Sequence, residues 1–160
     1  MNDDDVSTGN NEKYLLYQLG EGLFATPLIE VREVIEYRPA KPIPHTAPYF
    51  KGVINIRGEI VGVMDLRERL NIKGSDKPVA LLIFETENGP LAAVVDKVHS
   101  VTVIVEADLE RRAAAHGQGT DRAYFLGVGK VGDKLLTVIT LRKILSAEQL
   151  SDLPTESAGT

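Results

Sequence analysis

An internal repeat of 21 residues sets the strongest limit on how this chain folds. FKGVINIRGEIVGVMDLRERL (50–70) aligns without gaps with FLGVGKVGDKLLTVITLRKIL (125–145), and seven of the 21 positions are identical. Average residue usage would give about one or two identities by chance. A weaker similarity precedes the repeat in the same order, with GLFATPLIEV from Gly22 over GPLAAVVDKV from Gly89. The matching order indicates that a larger unit has been duplicated.

Short β-type runs separated by turn signals predict that each copy is all-β. One copy is expected at about 14–72 and the other at about 79–146. Because a unit of about 60 residues is small for an independent core, we expect two β-barrels that pack against each other, with strand edges hidden by closure. The predicted strands include Tyr14–Leu19, Val53–Ile56, Val79–Phe84, Leu91–Val95, Val101–Val105 and Leu135–Leu141.

Three short helices and two tails complete the predicted organisation. Asp65–Leu70 and Thr140–Leu150 are predicted to leave strands as helices, and Asp108–Ala115 has an acidic first turn followed by an Ala run. The chain is therefore expected to hold one domain over 14–150, with the last helix ending at about 150. The polar ends, 1–13 and 151–160, bury too little apolar surface to fold and are expected to be disordered tails.

Composition narrows the class of protein. The 160 residues include no Cys, so there is no disulfide, thiolate metal site or cysteine nucleophile. No apolar run approaches the roughly 20 residues of a membrane helix. Residues 1–13 lack a secretory signal, and we expect a cytoplasmic protein without direct membrane insertion. The net charge of −5 lacks the basic excess that phosphate binding needs, which disfavours nucleic acid as a partner.

The sequence contains no convergent set of catalytic or metal-binding groups, so we expect neither enzyme activity nor a cofactor. The histidines (His45, His99 and His116) lack a second ligand at metal spacing. Asp65 and Asp96 are the carboxylates that an acid–base pair would require. Asp65 is instead expected to cap the helix that follows it, and Asp96 is expected to lie in an exposed turn between strands.

The two copies differ at the turn of their predicted hairpins. The first has Asn55-Ile56-Arg57-Gly58-Glu59, and the second has a glycine where Arg57 stands in the first. Arginine presents a rigid fork that pairs with carboxylates and is enriched at protein interfaces. Glu33, on a predicted strand, is a candidate partner for Arg57, and a solvated surface arginine is the equally weighted alternative.

These residues resemble the CheW family. The resemblance rests on IEVREVIEY (29–37), IPHTAPYFKGVINIRGEIVGVMDLRERL (43–70), LAAVVDKVHSV (91–101) and FLGVGKVGDKLLTVI (125–139). It implies a pair of SH3-like five-stranded β-barrels that act as a non-catalytic adaptor. The implied partners are the regulatory domain of a CheA-type histidine kinase, the cytoplasmic tip of chemoreceptors and, in array rings, other CheW copies. The implied location is at membrane-associated receptor arrays.

The resemblance also implies roles for particular residues. Arg57 matches a family arginine linked to receptor coupling, Asn55 and Gly58 shape its hairpin, and Glu33 matches an acidic position that can pair with that arginine. Three further positions are associated with partner binding in the family, namely Val31, Lys51 and Gly52. Many members of the family have Asp or Asn where this chain has Thr140, so we expect a weaker helix cap at this position.

Two alternatives remain open at this level. A CheW-like adaptor can serve a non-flagellar chemosensory pathway, such as pili control, instead of flagellar chemotaxis. A double β-barrel can also bind a small ligand or nucleic acid, since a fold alone does not determine function. The acidic balance and the 6% aromatic content argue against that second alternative.

Overall fold

The computed structural model describes residues 12–111 and 123–153 and is mainly β. The strands, in chain order, are β1 (Lys13–Leu19), β2 (Gly22–Pro27), β3 (Glu33–Glu36), β4 (Phe50–Ile56), β5 (Glu59–Asp65), β6 (Ala80–Thr86), β7 (Gly89–Val95), β8 (Lys97–Val103), β9 (Leu109–Arg111), β10 (Phe125–Val131) and β11 (Lys134–Ile139). The α-helices are α1 (Leu66–Arg69) and α2 (Ala147–Ser151), and 3-10 turns occur at Leu28–Glu30, Glu106–Asp108 and Leu141–Lys143.

The strands form two sheets, as the duplication predicts. Sheet A has six strands in the order β9-β10-β11-β2-β1-β8, and sheet B has five in the order β3-β6-β7-β5-β4. Both orders are open, so within the described residues neither sheet closes into a continuously hydrogen-bonded barrel. The prediction of a mainly β protein built from two packed SH3-like units is confirmed.

The predicted boundaries of the two units, about 14–72 and about 79–146, are wrong. Sheet A combines β1 and β2 of the first copy with β8 to β11 of the second, and sheet B combines β3 to β5 with β6 and β7. The exchange preserves equivalent pairs: Val63 lies beside Ala92 in sheet B, and Val138 lies beside Ala25 in sheet A. The second hairpin of each copy therefore joins the sheet that contains the first hairpin of the other copy.

Short connections explain this exchange. Residues 28–32 carry the chain from β2 directly to sheet B, where the Arg32 N–H donates to the Ile83 carbonyl at 2.7 Å. Asp96 alone separates β7 in sheet B from β8 in sheet A. Because these segments are short, the strand that follows each of them joins the other sheet. A return to the same sheet would require a longer crossover.

The buried apolar side chains form three clusters, and one of them joins the two sheets. In β1, Leu15, Tyr17 and Leu19 face a core shared by both sheets, whereas Tyr14 and Leu16 face a core inside sheet A. The interior strand β6 of sheet B alternates in the same way, with Leu82 and Phe84 in the shared core and Leu81 and Ile83 inside sheet B. Because successive side chains of a strand point to opposite faces, strands buried on both faces read as continuous apolar runs.

Two of the three predicted helical stretches are present in shorter form. Asp65 caps α1 by accepting a hydrogen bond from the Arg67 N–H at 3.0 Å, as predicted. The Thr140 hydroxyl accepts the Arg142 N–H at 3.3 Å at the start of a 3-10 turn. α2 begins with a capping box between Ser146 and Gln149. Local capping chemistry therefore fixes where both helices start.

The predicted helix Asp108–Ala115 is wrong over the part that is described. Leu109–Arg111 forms β9, which pairs with β10 in the register Leu109 to Gly129. Residues 112–122, including His116, lie outside the described residues. The ladder to β10 satisfies the backbone groups of this segment, and this pairing overrides the local helical pattern.

The predicted tails are corrected at their inner ends. Lys13 begins β1, and Leu153 is only 7% exposed and packs in the shared core. Residues 1–11 and 154–160 lie outside the described residues, so their predicted disorder stays a prediction. Leu150 of α2 also packs against the shared core, so the end of this helix and Leu153 belong to the folded domain.

Candidate functional site

The β4–β5 hairpin presents Arg57 at its tip. Arg57 and Gly58 have φ values of 50° and 89°, which is the backbone that a two-residue type I′ turn requires at both central positions. The Asn55 side-chain oxygen accepts the Gly58 N–H at 2.9 Å and fixes the turn. A glycine accommodates this backbone easily, so an arginine in this conformation is a costly choice at the turn.

Arg57 is the outermost member of a chain of charges that we call the charged rim: Arg32, Glu33, Arg57, Glu59 and Glu85. The Arg57 Nη2 lies 2.6 Å from the Glu33 Oε2, so the sequence-based pairing of these two residues matches the geometry. Arg32 lies 3.7 Å from the same carboxylate and joins it to Glu59 at 3.0 Å and Glu85 at 2.7 Å.

Sequence reasoning missed Arg32, Glu59 and Glu85. The separations of 27 and 53 residues between Arg32 and these two glutamates hide the contacts. The hydrogen bonds that Arg32 donates to Glu85 and to Glu59 raise the pKa of Arg32. The Arg57 side chain is 70% exposed, and an exposed pair contributes only about 0.2–1 kcal/mol to stability. The charged rim is therefore better suited to recognition than to holding the fold together.

A groove of about 310 Å³ opens between the sheets beside the charged rim. We call it the inter-sheet groove. Its lining comes from turns of sheet A and from strand β6 of sheet B and consists of Ile29, Glu30, Arg32, Phe84, Glu85, Leu141 and Arg142. Phe84 and Leu141 are almost fully buried and form an apolar floor, whereas Ile29 is 81% exposed. Since Arg32 and Glu85 belong to both features, the groove and the charged rim are continuous.

The other three sequence-based site residues lie outside the charged rim. Val31 ends the 3-10 turn before Arg32 and packs on the shared core. Lys51 forms an ion pair with Glu68, at the opposite end of β4 from Arg57. Gly52 has a φ of 133°, and a Cβ there would overlap the Lys41 carbonyl. Gly52 thus has a structural requirement whatever its role in binding.

Asp65 and Asp96 lie close together, but both form ion pairs with Arg67. The Arg67 Nε lies 2.8 Å from Asp65 Oδ1, and its Nη1 lies 2.6 Å from Asp96 Oδ1. The predicted exposed turn at Asp96 is wrong, because its side chain is only 8% exposed and also accepts the N–H groups of Gly20 and Ser75. Six donated hydrogen bonds, three to each carboxylate, satisfy Asp65 and Asp96, so this cluster is structural.

The described residues hold no group of three or more His, Asp or Glu side chains placed to bind a metal ion. His99 lies 3.1 Å from the Gln18 side-chain oxygen, and His45 is exposed in the Pro-rich connector. Over the same part of the chain, no helix is long and apolar enough to cross a membrane. The inter-sheet groove and the charged rim together form a concave surface with an apolar floor and a charged border.

Two sheets that share a core and enclose a groove with a charged rim define a β-type binding module. The family model described as the CheW-like domain matches residues 13–149. The chain belongs to this family, which confirms the resemblance seen in the sequence.

The chain is similar to proteins named chemotaxis protein CheW. The protein of Treponema pallidum (strain Nichols) is 26% identical over 152 residues, covering 90% of this chain and 89% of the relative. The protein of Klebsiella aerogenes is 27% identical over 142 residues, covering 88% and 85%. The crystal structure of the scaffolding protein TtCheW from Thermoanaerobacter tengcongensis matches with a TM-score of 0.75 at 29% identity, covering 87% of this chain and 95% of that one.

Proposed function

We propose that this chain is a non-catalytic adaptor of bacterial chemotaxis that couples chemoreceptors to a CheA-type histidine kinase. The observation that carries the proposal is the CheW-like domain match over residues 13–149. The names of the relatives, chemotaxis protein and scaffolding protein, support it. The adaptor works in the cytoplasm and is recruited to receptor arrays at the membrane.

The inter-sheet groove is the proposed receptor site. Phe84 and Leu141 provide an apolar floor, and the charged rim provides a polar border. An apolar centre with a polar border is the usual arrangement of a protein interface, and an amphipathic helix fits such a groove. In this proposal the helical tip of a receptor lies in the groove, and Arg57 and Glu33 contact its polar face.

The kinase is proposed to dock on strand surface outside the groove. Edge strand β3 of sheet B exposes Val34 at 43%, and edge strand β8 of sheet A exposes Val101 and Val103 at 49% and 44%. Exposed apolar patches and unpaired strand edges are surfaces on which proteins associate. Receptor and kinase can then bind the adaptor at the same time, because they use different faces.

The test is a three-component assembly of the chain, a receptor cytoplasmic fragment and the kinase, all from the source organism. Arg57→Glu is expected to lose receptor binding and receptor control of the kinase while kinase binding persists. Arg111→Glu is the matched control, since Arg111 of sheet A forms a similarly exposed ion pair with Glu106 in the preceding 3-10 turn.

The outcomes separate the function from the site. A wild-type chain that binds neither receptor nor kinase would contradict the adaptor function. If the wild-type chain binds both and Arg57→Glu behaves like Arg111→Glu, the charged rim is not the receptor contact.

A further inference from the structure

Four charged side chains line the inter-sheet groove, and three of them already have partners. The Glu30 carboxylate accepts from the Thr140 hydroxyl and from the Leu141 N–H, both at 2.7 Å. Arg32 and Glu85 pair with each other at 2.7 Å. Arg142 is exposed, and its guanidinium forms no ion pair or hydrogen bond with any residue that the structure describes. The groove therefore presents one positive charge that is available to an occupant.

The internal repeat shows why Arg142 is free. Arg142 aligns with Arg67, which holds Asp65 and Asp96 in the first half of the repeat. At the position equivalent to Asp65 the chain has Thr140, and the weaker alignment that places Gly22 over Gly89 puts Ile29 opposite Asp96. Both carboxylates of the buried cluster are thus replaced in the equivalent place.

These replacements turn a closed ion cluster into an open site. Asp96 closes the cluster around Arg67. At the equivalent position in the other half, beside Arg142, the chain has Ile29, an aliphatic residue that is 81% exposed. Glu30 follows Ile29 directly, but its carboxylate binds the Thr140 hydroxyl and the Leu141 N–H and forms no ion pair with Arg142 in the described structure. Arginine binds a carboxylate with two parallel hydrogen bonds, and the guanidinium of the exposed Arg142 is open to such pairing with an acid of an occupant.

We propose that Arg142 is a specificity-determining residue of the inter-sheet groove that binds a carboxylate of the docked helix. Ile29 packs on an apolar side chain of the same helix, one turn from that acid. This inference rests on the proposed function, since it takes the occupant to be the helical tip of a receptor. The selected helix carries Asp or Glu three or four positions from a large apolar residue, because those positions share one helix face.

The test measures the dissociation constant of the full chain for a receptor cytoplasmic fragment from the source organism. Arg142→Glu is expected to weaken binding at least about tenfold, as loss of a close interface charge pair does. Lys143→Glu is the matched control: it makes the same charge change in the same 3-10 turn, at an exposed residue that does not line the groove. It is expected to change binding less than about twofold, as a rim charge distant from the contact does.

A charge reversal on the receptor identifies the acid. Each acidic residue of the receptor tip is replaced in turn by Lys, and one replacement is expected to restore binding to Arg142→Glu while weakening binding to the wild-type chain. Circular dichroism and the urea midpoint verify that the Arg142→Glu and Lys143→Glu variants are folded.

Each result leads to a different conclusion. Equal effects of Arg142→Glu and Lys143→Glu, or the absence of any restoring receptor variant, overturn the role of Arg142 while the adaptor function stands. A wild-type chain that does not bind the receptor fragment overturns the adaptor function and this inference together.

Discussion

Arg67 Nη1 lies 2.6 Å from Asp96 Oδ1, and both side chains are about nine-tenths buried. Arg67 belongs to α1, which directly follows strand β5 of sheet B. Asp96 is the residue at which the chain passes from sheet B to sheet A. The same Asp96 carboxylate accepts the N–H of Gly20 in the β1–β2 turn. This ion pair thus ties α1 to the crossover and to a hairpin of the other sheet.

Removing Arg67 is expected to destabilise the fold strongly. Arg67→Met leaves Asp65 and Asp96 buried without their cation, and the loss of one partner of a buried pair costs about 3–5 kcal/mol. Arg142→Met, at the equivalent place in the repeat, is expected to change stability by less than about 0.5 kcal/mol because that residue is exposed. Urea unfolding measures both, and equal losses would contradict the structural role of the Arg67 cluster.

The Arg57–Glu33 pair is expected to contribute little to stability. Because the Arg57 side chain is 70% exposed, a double-mutant cycle with Arg57→Ala and Glu33→Ala should give a coupling free energy below about 1 kcal/mol. Thermal or urea unfolding of the four proteins supplies the cycle. A coupling above about 2 kcal/mol would mean that the charged rim holds the hairpin in place, and loss of binding in Arg57→Glu could then reflect misfolding.

Two glycines of the β4–β5 hairpin should respond differently to alanine. Gly52→Ala places a Cβ against the backbone of Lys41 at a φ of 133°, and we expect a loss of about 3 kcal/mol. Gly58→Ala meets no neighbouring atom within 4 Å and should cost about 1 kcal/mol for its positive φ alone. Unfolding midpoints rank the two variants, and a Gly52→Ala variant as stable as Gly58→Ala would contradict the close approach of Lys41.

Alkaline pH is expected to destabilise the protein through Tyr14. Burial, followed by the negative charge of Glu12, raises the pKa of Tyr14 to about 12 from an ordinary value of 10.0. The folded state therefore favours the protonated phenol, and the stability this provides is complete below pH 10 and is lost as the pH rises to about 12.

Tyr14→Phe is the variant that isolates this effect. Its unfolding free energy should fall less steeply than that of the wild-type chain between pH 10 and about 12. Burial also raises the pKa of Tyr17, so part of the alkaline loss should remain in the variant. Urea unfolding at a series of pH values measures the two slopes, and identical slopes would show that Tyr14 ionises equally easily in the folded and unfolded states.

The local features of this protein could be predicted from its sequence. The repeat predicts two equivalent β hairpins, the Asn55–Gly58 turn predicts where Arg57 is presented, and Asp65 is a helix cap in the structure as in the prediction. These features depend on residues close together in the chain, where turn chemistry, capping and the alternation of side chains act directly. The family resemblance also rests on contiguous motifs and is confirmed by the domain match.

The pairing of strands between the two copies follows from the three-dimensional structure and not from the sequence pattern. Val63 pairs with Ala92 and Val138 with Ala25, and a pattern repeated in both halves cannot distinguish this exchange from pairing within each half. The sequence pattern also does not reveal that Asp96 is buried, because one of its hydrogen-bond donors is Gly20, far away in the chain. Nor does it reveal that Ile29 and Arg142 line one groove. These features arise from contacts between segments far apart in sequence, and such contacts depend on the path of the short connections between the sheets.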